Sequence, residues 1–479
     1  MYDVVIIGAG VAGTFIAREL ARYQLKIVIV DQENDVANAT SMANSAIIHA
    51  GYDARADHLK GKFNAAGNAL FDLVCDELDV PFKRCGSLVI GMNATEREII
   101  AELYENGLKN HVPGMRILNQ AEVHAIEPNL NDTVQYALWA PTAGIISPWE
   151  LAIAAAENAL ENGAGLHLET EVQRIEKGPE FYKVITNRGE YETKYIVNCA
   201  GLYADRIHNM AAPPSFQIRP RKGHYFILDK EAGNLVHTIV FQCPTAKGKG
   251  VLVAPTVHGN ILVGPDSEFV DDKDDLATVA ERLQYIQETA LLSVATIPYQ
   301  KVIRSFVGLR SVSDGGDFII GEPPEAKGFI NVAGYESPGL SSIPAVAQYV
   351  VELMQNSSGG LLKKENFNPR RRRVIRFNEL SPPEKAAAIQ QDPRFGRIIC
   401  RCETVTEAEI VDAIRRKAGA TTVKGIKKRT RAGMGRCQGE FCGPRVMEIL
   451  ARELGKELNE IPYDSSEAYI LTEATKSKR

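Results

Sequence analysis

No run of about 18 apolar residues occurs in this 479-residue sequence, which argues against a membrane-spanning helix. No basic leader precedes Val4-Val5-Ile6-Ile7 and no small-residue cleavage site follows it, so the expected compartment is the cytoplasm, with peripheral contact at a membrane left open. An excess of one charge is also lacking. The formal net charge of −5 is too weak a field to gather a polyanion, and nucleic acid is not an expected partner. Cysteine is sparse until the C-terminal end, where four of the eight gather as Cys400, Cys402, Cys437 and Cys442. In a cytoplasmic chain such close pairs read as a metal site before they read as disulfides, whereas the scattered Cys75, Cys85, Cys199 and Cys243 read as small buried apolar residues. What is present is the composition of a globular protein, 45% hydrophobic and 24% charged, on a chain long enough for two or three cores.

At the N-terminal end, Asp3 to Ile7 reads as a buried parallel strand and runs into Gly8-Ala9-Gly10-Val11-Ala12-Gly13. The first glycine permits the tight turn, the second lets a pyrophosphate approach the backbone, and the third lets the next helix, Thr14 to Tyr23, pack on the sheet. Lys26 to Val30 supplies a second strand, and Asp31 ends it where a carboxylate can accept bonds from ribose hydroxyls. These features predict an adenine dinucleotide. Three distant segments return to the same fold and favour FAD over NAD. Val172 opens a short strand able to pass the adenine, Tyr195 to Gly201 ends an apolar strand in a small-residue turn, and Gly328 to Gly334 leads through Ser337-Pro338-Gly339-Leu340 into a helix whose N-terminus would face the flavin. The expected fold is α/β. A Rossmann-like FAD-binding domain (1–75, 145–215 and 305–365) interleaves with an α+β substrate domain (76–144 and 216–304).

This order of motifs resembles the D-amino-acid-oxidase-like superfamily over residues 1 to 365. Asn44 to Tyr52, Arg221 to Tyr225, Gly308-Leu309-Arg310 and Asp317 to Gly321 look like its glycerol-3-phosphate and L-2-hydroxyglutarate branch. The resemblance implies oxidation of a carbinol, in which a base takes the hydroxyl proton while hydride leaves carbon for the flavin. His49 suits the base because imidazole titrates near neutral pH. Arg310 suits the substrate's anion because its planar fork binds phosphate or carboxylate oxygens in bidentate fashion, and Lys249 offers a second positive charge or a flavin contact. The resemblance also places Asn44 and Ser45 against the cofactor, and His224 and Tyr225 on the substrate-domain sheet, where a pocket roof or a plain core position is open to them.

Beyond Asn368 the run Pro369 to Arg373 and then Ser381-Pro382-Pro383-Glu384 disfavours regular structure and predicts a linker over 366–396. A small helical domain follows over 397–479. Thr406 to Glu409 has the pattern of a capping box, and Pro444 opens a last helix through Leu454. Cys400-Arg401-Cys402 and Cys437 to Cys442 supply four thiolates, the number needed for a 2Fe–2S cluster or a structural zinc. Gly433, Gly435, Gly439 and Gly443 favour iron, since they let backbone N–H groups approach the sulfurs. A basic set including Arg415, Arg416, Lys424, Lys428, Arg429 and Arg431 is expected to offset cluster charge. The segment resembles the bacterioferritin-associated-ferredoxin-like domain, with the second cysteine pair spaced more widely than in the stand-alone ferredoxin. The whole arrangement resembles the A subunits of anaerobic glycerol-3-phosphate dehydrogenases and subunits of opine and proline dehydrogenases. That implies a second flavoprotein or iron–sulfur subunit in a hetero-oligomer. The leading expectation is a dehydrogenase acting on a small anionic hydroxy substrate, sn-glycerol 3-phosphate. L-2-hydroxyglutarate, an amine or imino acid, or a non-catalytic electron-transfer role are the alternatives.

Overall fold

The computed structural model describes residues 1–244 and 250–473, and these divide into two compact units. The first comprises Met1–Gln32 with Ala37–Pro369, and the second comprises Glu33–Val36 with Arg370 onward.

The first unit is built on two large sheets. In one, the apolar strands Tyr2–Ile7, Ile27–Val30 and Gly165–His167 run parallel, and Gly189–Asn198 joins the other side of Tyr2–Ile7, also parallel. Phe329–Ala333 adds beside Gly189–Asn198, again in parallel register. Residues Val4, Val5 and Ile6 of the first strand are fully buried, as a parallel sheet covered on both faces requires. Val172–Lys177 and Tyr182–Thr186 complete an antiparallel extension at the edge. Helices Val11–Leu20 and Gly339–Ser358 both begin at the carboxyl ends of parallel strands, where open α/β sheets bind ligands. The helix begins at Val11 rather than Thr14, because Gly10 is already the extended N-cap residue.

The second sheet is mostly antiparallel. Its long ribbon pairs Ile218–Leu228 with Val302–Ser313 over nearly their whole lengths. Ile261–Gly264, Leu252–Pro255, Ile239–Gln242, Ser87–Gly91, Tyr136–Ala140 and Arg116–Asn119 continue it. Leu88, Val240, Val253 and Val263 are fully buried in the core on one of its faces. A small three-stranded sheet places Ile47–Ile48 against Gly144–Ile146.

In the second unit, helices Glu407–Arg415, Val423–Thr430 and Gly443–Leu454 surround a core of Ile410, Ala420, Ile426 and Leu450. The capping box at Thr406 and Glu409 is present. The segment around Ser381 departs from the expected irregular linker and forms a helix over Pro382–Gln391. The physical reason is local. Pro382 and Pro383 occupy the first turn, where a missing N–H costs nothing, and Ser381 with Glu384 makes a reciprocal capping box. No helix among the described residues is long and apolar enough to cross a membrane.

Candidate active site and cysteine centre

The glycine turn is shaped by close approach. Gly8 sits at φ +110°, and a Cβ on Gly13 would lie 1.9 Å from the Gly8 carbonyl oxygen, so only glycine lets the helix start so near the strand. The Ala9 N–H donates to the Asp31 carboxylate, which ties the acidic residue to the turn. Gly10 lies beside Ser41, whose Oγ accepts from the Val11 N–H at 2.9 Å. Ser41 was not legible as a site residue, although it stands just ahead of the Asn44 to Tyr52 motif. Gly201 opens a short 3-10 turn after the strand ending at Asn198, and Gly334 follows Phe329–Ala333 at φ +63°. Asn198 donates to Asn331 Oδ1 at 2.9 Å and joins those two strand ends through buried amides. Val172 begins its edge strand in the same apolar cluster as Val28 and Val30. Gly339 and Leu340 form the first turn of the helix Gly339–Ser358. The glycine turn, the helix N-termini and Asp31 thus gather at one edge of the parallel sheet, an arrangement suited to a dinucleotide pyrophosphate and ribose.

His49 follows the short strand Ile47–Ile48 and is held by three other elements. Its backbone N–H donates to Ser341 Oγ at 2.7 Å, its carbonyl accepts from Asn68 Nδ2 at 3.0 Å, and its ring stacks on Phe241 with centroids 5.7 Å apart. Asn44 braces the preceding loop, donating to the Thr40 and Ser41 carbonyls and accepting from the Ala46 N–H at 2.9 Å. Ser45 Oγ lies 3.2 Å from the Tyr225 hydroxyl, and the Tyr225 ring stacks on Phe306 at 4.7 Å. Strand alternation sends His224 the other way. It is fully buried, and both its backbone N–H and its Nδ1 lie within 3.0 Å of Asp266 Oδ1. Burial alone would raise the Asp266 carboxyl, but hydrogen bonds from His224 and Arg282 hold it below its ordinary value. Of the two residues, for which a pocket roof or a core position was open, only Tyr225 reaches the Ser45–His49 side, and His224 belongs to a buried polar cluster.

Arg310 donates from Nη2 to the Asp266 carbonyl at 2.9 Å. Lys249 lies outside the described residues. Glu336, in the turn between Gly334 and Gly339, takes Lys60 Nζ at 2.8 Å on one oxygen and Arg221 on the other. Asp317 caps the helix Leu59–Ala69 from afar, accepting from the Leu59 and Lys60 N–H groups at 2.7 and 3.0 Å. Glu336 and Lys60 escaped sequence reasoning, and Asp317 was read only as part of a motif, because each meets its partners only across long stretches of chain.

In the second unit the four cysteines form two pairs. Cys402 and Cys437 place their sulfurs 3.9 Å apart, and Cys400 shares a hydrogen bond with Cys442. That bond, with the Gly433 and Glu403 N–H groups, lowers the Cys400 thiol to about 6 against the opposing effect of burial. N–H groups of Gly439 and Phe441 likewise favour the Cys437 thiolate, although burial opposes them. Among the described residues no group of three or more His, Cys, Asp or Glu side chains could hold a single metal ion. Two thiol pairs ringed by N–H donors suit a two-iron cluster, one pair for each iron. Six of the basic residues meet carboxylates. Arg415 pairs with Glu453, Arg416 with Asp412, Lys424 with Asp464, Arg431 with Glu403, and both Lys428 and Arg429 with Asp35, so they neutralise carboxylates. The remaining four cysteines are free thiols, and burial raises each of them, Cys85 and Cys243 to about 11.

The chain matches the family model for FAD dependent oxidoreductases over residues 3–353 and that for the BFD-like 2Fe-2S binding domain over residues 398–452. It is 55% identical over 478 residues, and full length on both sides, to a glycerol 3-phosphate dehydrogenase of Caloramator mitchellensis. A glycerol 3-phosphate oxidase of Mycoplasma genitalium is 32% identical across 77% of this chain and 97% of its own. The FAD-bound L-alpha-glycerophosphate oxidase of Mycoplasma pneumoniae superposes with a TM-score of 0.74 at 30% identity, covering 77% of this chain and 98% of that one. The cofactors these matches carry, FAD and a 2Fe–2S cluster, are the two that the glycine turn and the paired thiols fit. The chain belongs to the FAD dependent oxidoreductase family, and its C-terminal end carries a BFD-like 2Fe-2S binding domain.

Proposed function

We propose that this chain is a dehydrogenase that oxidises sn-glycerol 3-phosphate to dihydroxyacetone phosphate and works beside a second redox subunit. One observation carries the reading, the full-length likeness to the Caloramator dehydrogenase, which extends through the cysteine centre as well as the flavin fold. Bound FAD supplies a two-electron acceptor and the cluster a one-electron carrier, a combination suited to passing reducing equivalents onward singly. His49 takes the proton of the substrate hydroxyl on its imidazole. Its anchoring by Ser341, Asn68 and Phe241 limits the ring's wandering, which a general base needs for reach. Arg310 holds the phosphate. Ser41 and Asp31 order the turn that receives the dinucleotide.

Anaerobic mixing of the holoenzyme with glycerol 3-phosphate, L-2-hydroxyglutarate and proline in turn tests this. Flavin bleaching with the first alone is the expected result. Bleaching by another of them would reassign the substrate, and bleaching by none would make the chain an electron-transfer subunit.

Gly223→Ala probes the phosphate contact without replacing a charged residue. A Cβ there would fall 2.3 Å from Arg310 Nη2 and displace the guanidinium from the Asp266 carbonyl. The expected outcome is a KM for glycerol 3-phosphate raised about tenfold, roughly the worth of one charge-assisted hydrogen bond. The rate at saturation should stay within a few-fold of the parent. Steady-state kinetics reads both.

A further inference from the structure

In the long ribbon, Arg221 on Ile218–Leu228 stands directly opposite Arg310 on Val302–Ser313. Like charges so placed destabilise a sheet, and the local counter-charge is meagre. Glu336 is the carboxylate that meets Arg221, and it is shared with Lys60. Arg310 meets only a backbone carbonyl and, among the described residues, has no carboxylate within ion-pair distance. One carboxylate thus serves both Arg221 and Lys60 and, among the described residues, none pairs with Arg310, a local surplus of positive charge. Glu336 and Lys60 are both buried, so water screens this surplus weakly.

The Nε of Arg221 is itself buried and without a hydrogen-bond partner, an N–H that the protein leaves for something else. Burial, together with the charge of Arg310, holds the Arg221 guanidinium below its ordinary value despite Glu336. Arg221 shares its face of the strand with Tyr225, whose hydroxyl is 3.2 Å from Ser45, four residues ahead of His49. Arg221 thus lies on the side of the sheet that carries the candidate base.

We propose that Arg221 is a second anion-binding residue, forming with Arg310 a two-guanidinium clamp for the dianionic phosphate of the substrate. Glu336 serves as its counter-ion. The inference rests on the reading under which Arg310 holds the substrate's anion. It also narrows the substrate class. A phosphate monoester brings nearly two negative charges at neutral pH and several acceptor oxygens, enough for two planar forks, whereas a carboxylate brings one charge and two oxygens.

Inorganic phosphate titrated calorimetrically into the oxidised holoenzyme tests the clamp. Arg221→Gln should raise the dissociation constant by ~10- to 100-fold, as loss of a charged hydrogen-bonding pair does. Arg221→Lys, which keeps the charge and loses the fork, should recover part of that loss. Retained flavin absorbance checks that both variants fold, since Lys60 still neutralises Glu336. Unchanged phosphate binding in Arg221→Gln, with weakened binding in Arg310→Gln, would overturn the clamp and leave the reading of Arg310 standing. Unchanged binding in both would overturn the two together. Weakened binding in Arg221→Gln with no recovery in Arg221→Lys, alongside lost flavin, would mark Arg221 as structural and also overturn the clamp.

Discussion

Replacing His49 by alanine is expected to slow reduction of the bound flavin by glycerol 3-phosphate ~10²- to 10⁴-fold, the range a positioned general base contributes. The backbone contacts of residue 49 to Ser341 and Asn68 do not involve the imidazole, so they survive the substitution. The lost stacking on Phe241 is a local packing defect. Stopped-flow absorbance at saturating substrate separates the effects. A slowed limiting rate with near-normal apparent affinity is the signature of a missing base. A limiting rate equal to that of the parent would remove His49 from the chemistry. Raising the pH should partly restore the alanine variant, because a more ionised substrate hydroxyl has less need of a base.

The second large effect is expected within the second unit. Asp35 is 5% exposed and accepts Arg429 in a bidentate contact at 2.7 and 2.9 Å, with Lys428 Nζ at 2.8 Å. Burial alone would raise its carboxyl, but the Arg429 and Lys428 charges hold it well below the usual carboxylate range. Two cations sharing one carboxylate leave Lys428 under-neutralised, and burial pushes its ammonium down to about 8. Lys428 also donates to the Val36 carbonyl at 2.8 Å. Asp35→Asn strands two buried cations, which typically costs ~3–5 kcal/mol. Urea unfolding of the holoprotein, followed by the visible circular dichroism of the cluster, should show the unit losing stability by that order. A midpoint unchanged from the parent would show the triad to be energetically neutral.

The sign of the pH dependence follows from the direction of each shift. Asp35 has a folded-state value below its unfolded one, so its contribution is fully present above pH ~4 and is lost as pH falls further. Parent and Asp35→Asn proteins should therefore converge in stability on acidification. Lys428 works on the alkaline side. Its folded-state value is depressed, so the unfolded chain binds the proton more tightly, and stability should rise with pH from about 8 toward the ordinary lysine value of 10.5.

Much of the fold was legible because the signals are local. The turn Gly8 to Gly13 needs only the steric fact that Gly13 touches the Gly8 carbonyl, and the period of Val4 to Ile7 needs only burial on both faces. The four clustered cysteines were legible for the same reason, whereas the pairing of Cys402 with Cys437 and of Cys400 with Cys442 came from the fold. Where local reasoning failed, it failed by weighing one local rule over another. Pro382 and Pro383 read as breakers, yet beside Ser381 and Glu384 they start a helix. The basic residues of the C-terminal end read as counter-charge for a cluster, but apart from Arg416, which meets Asp412 one helical turn away, their carboxylate partners lie 28 to 394 residues away and were invisible. His224 and Tyr225 could not be told apart until strand register showed which faces Ser45 and which faces Asp266.

The sequence by itself pointed to the kinds of chemistry proposed for this protein: a dinucleotide turn, a histidine as candidate base, an arginine as candidate anion site, and thiols in metal-binding spacing. Tertiary structure alone decided that Arg221 opposes Arg310, that Glu336 lies between Arg221 and Lys60, and that Asp35 meets Arg429. Backbone stereochemistry acts over a few residues and leaves its mark in the local pattern. A charge balance among groups hundreds of residues apart depends on the path of the whole chain, and no short stretch of it encodes that path.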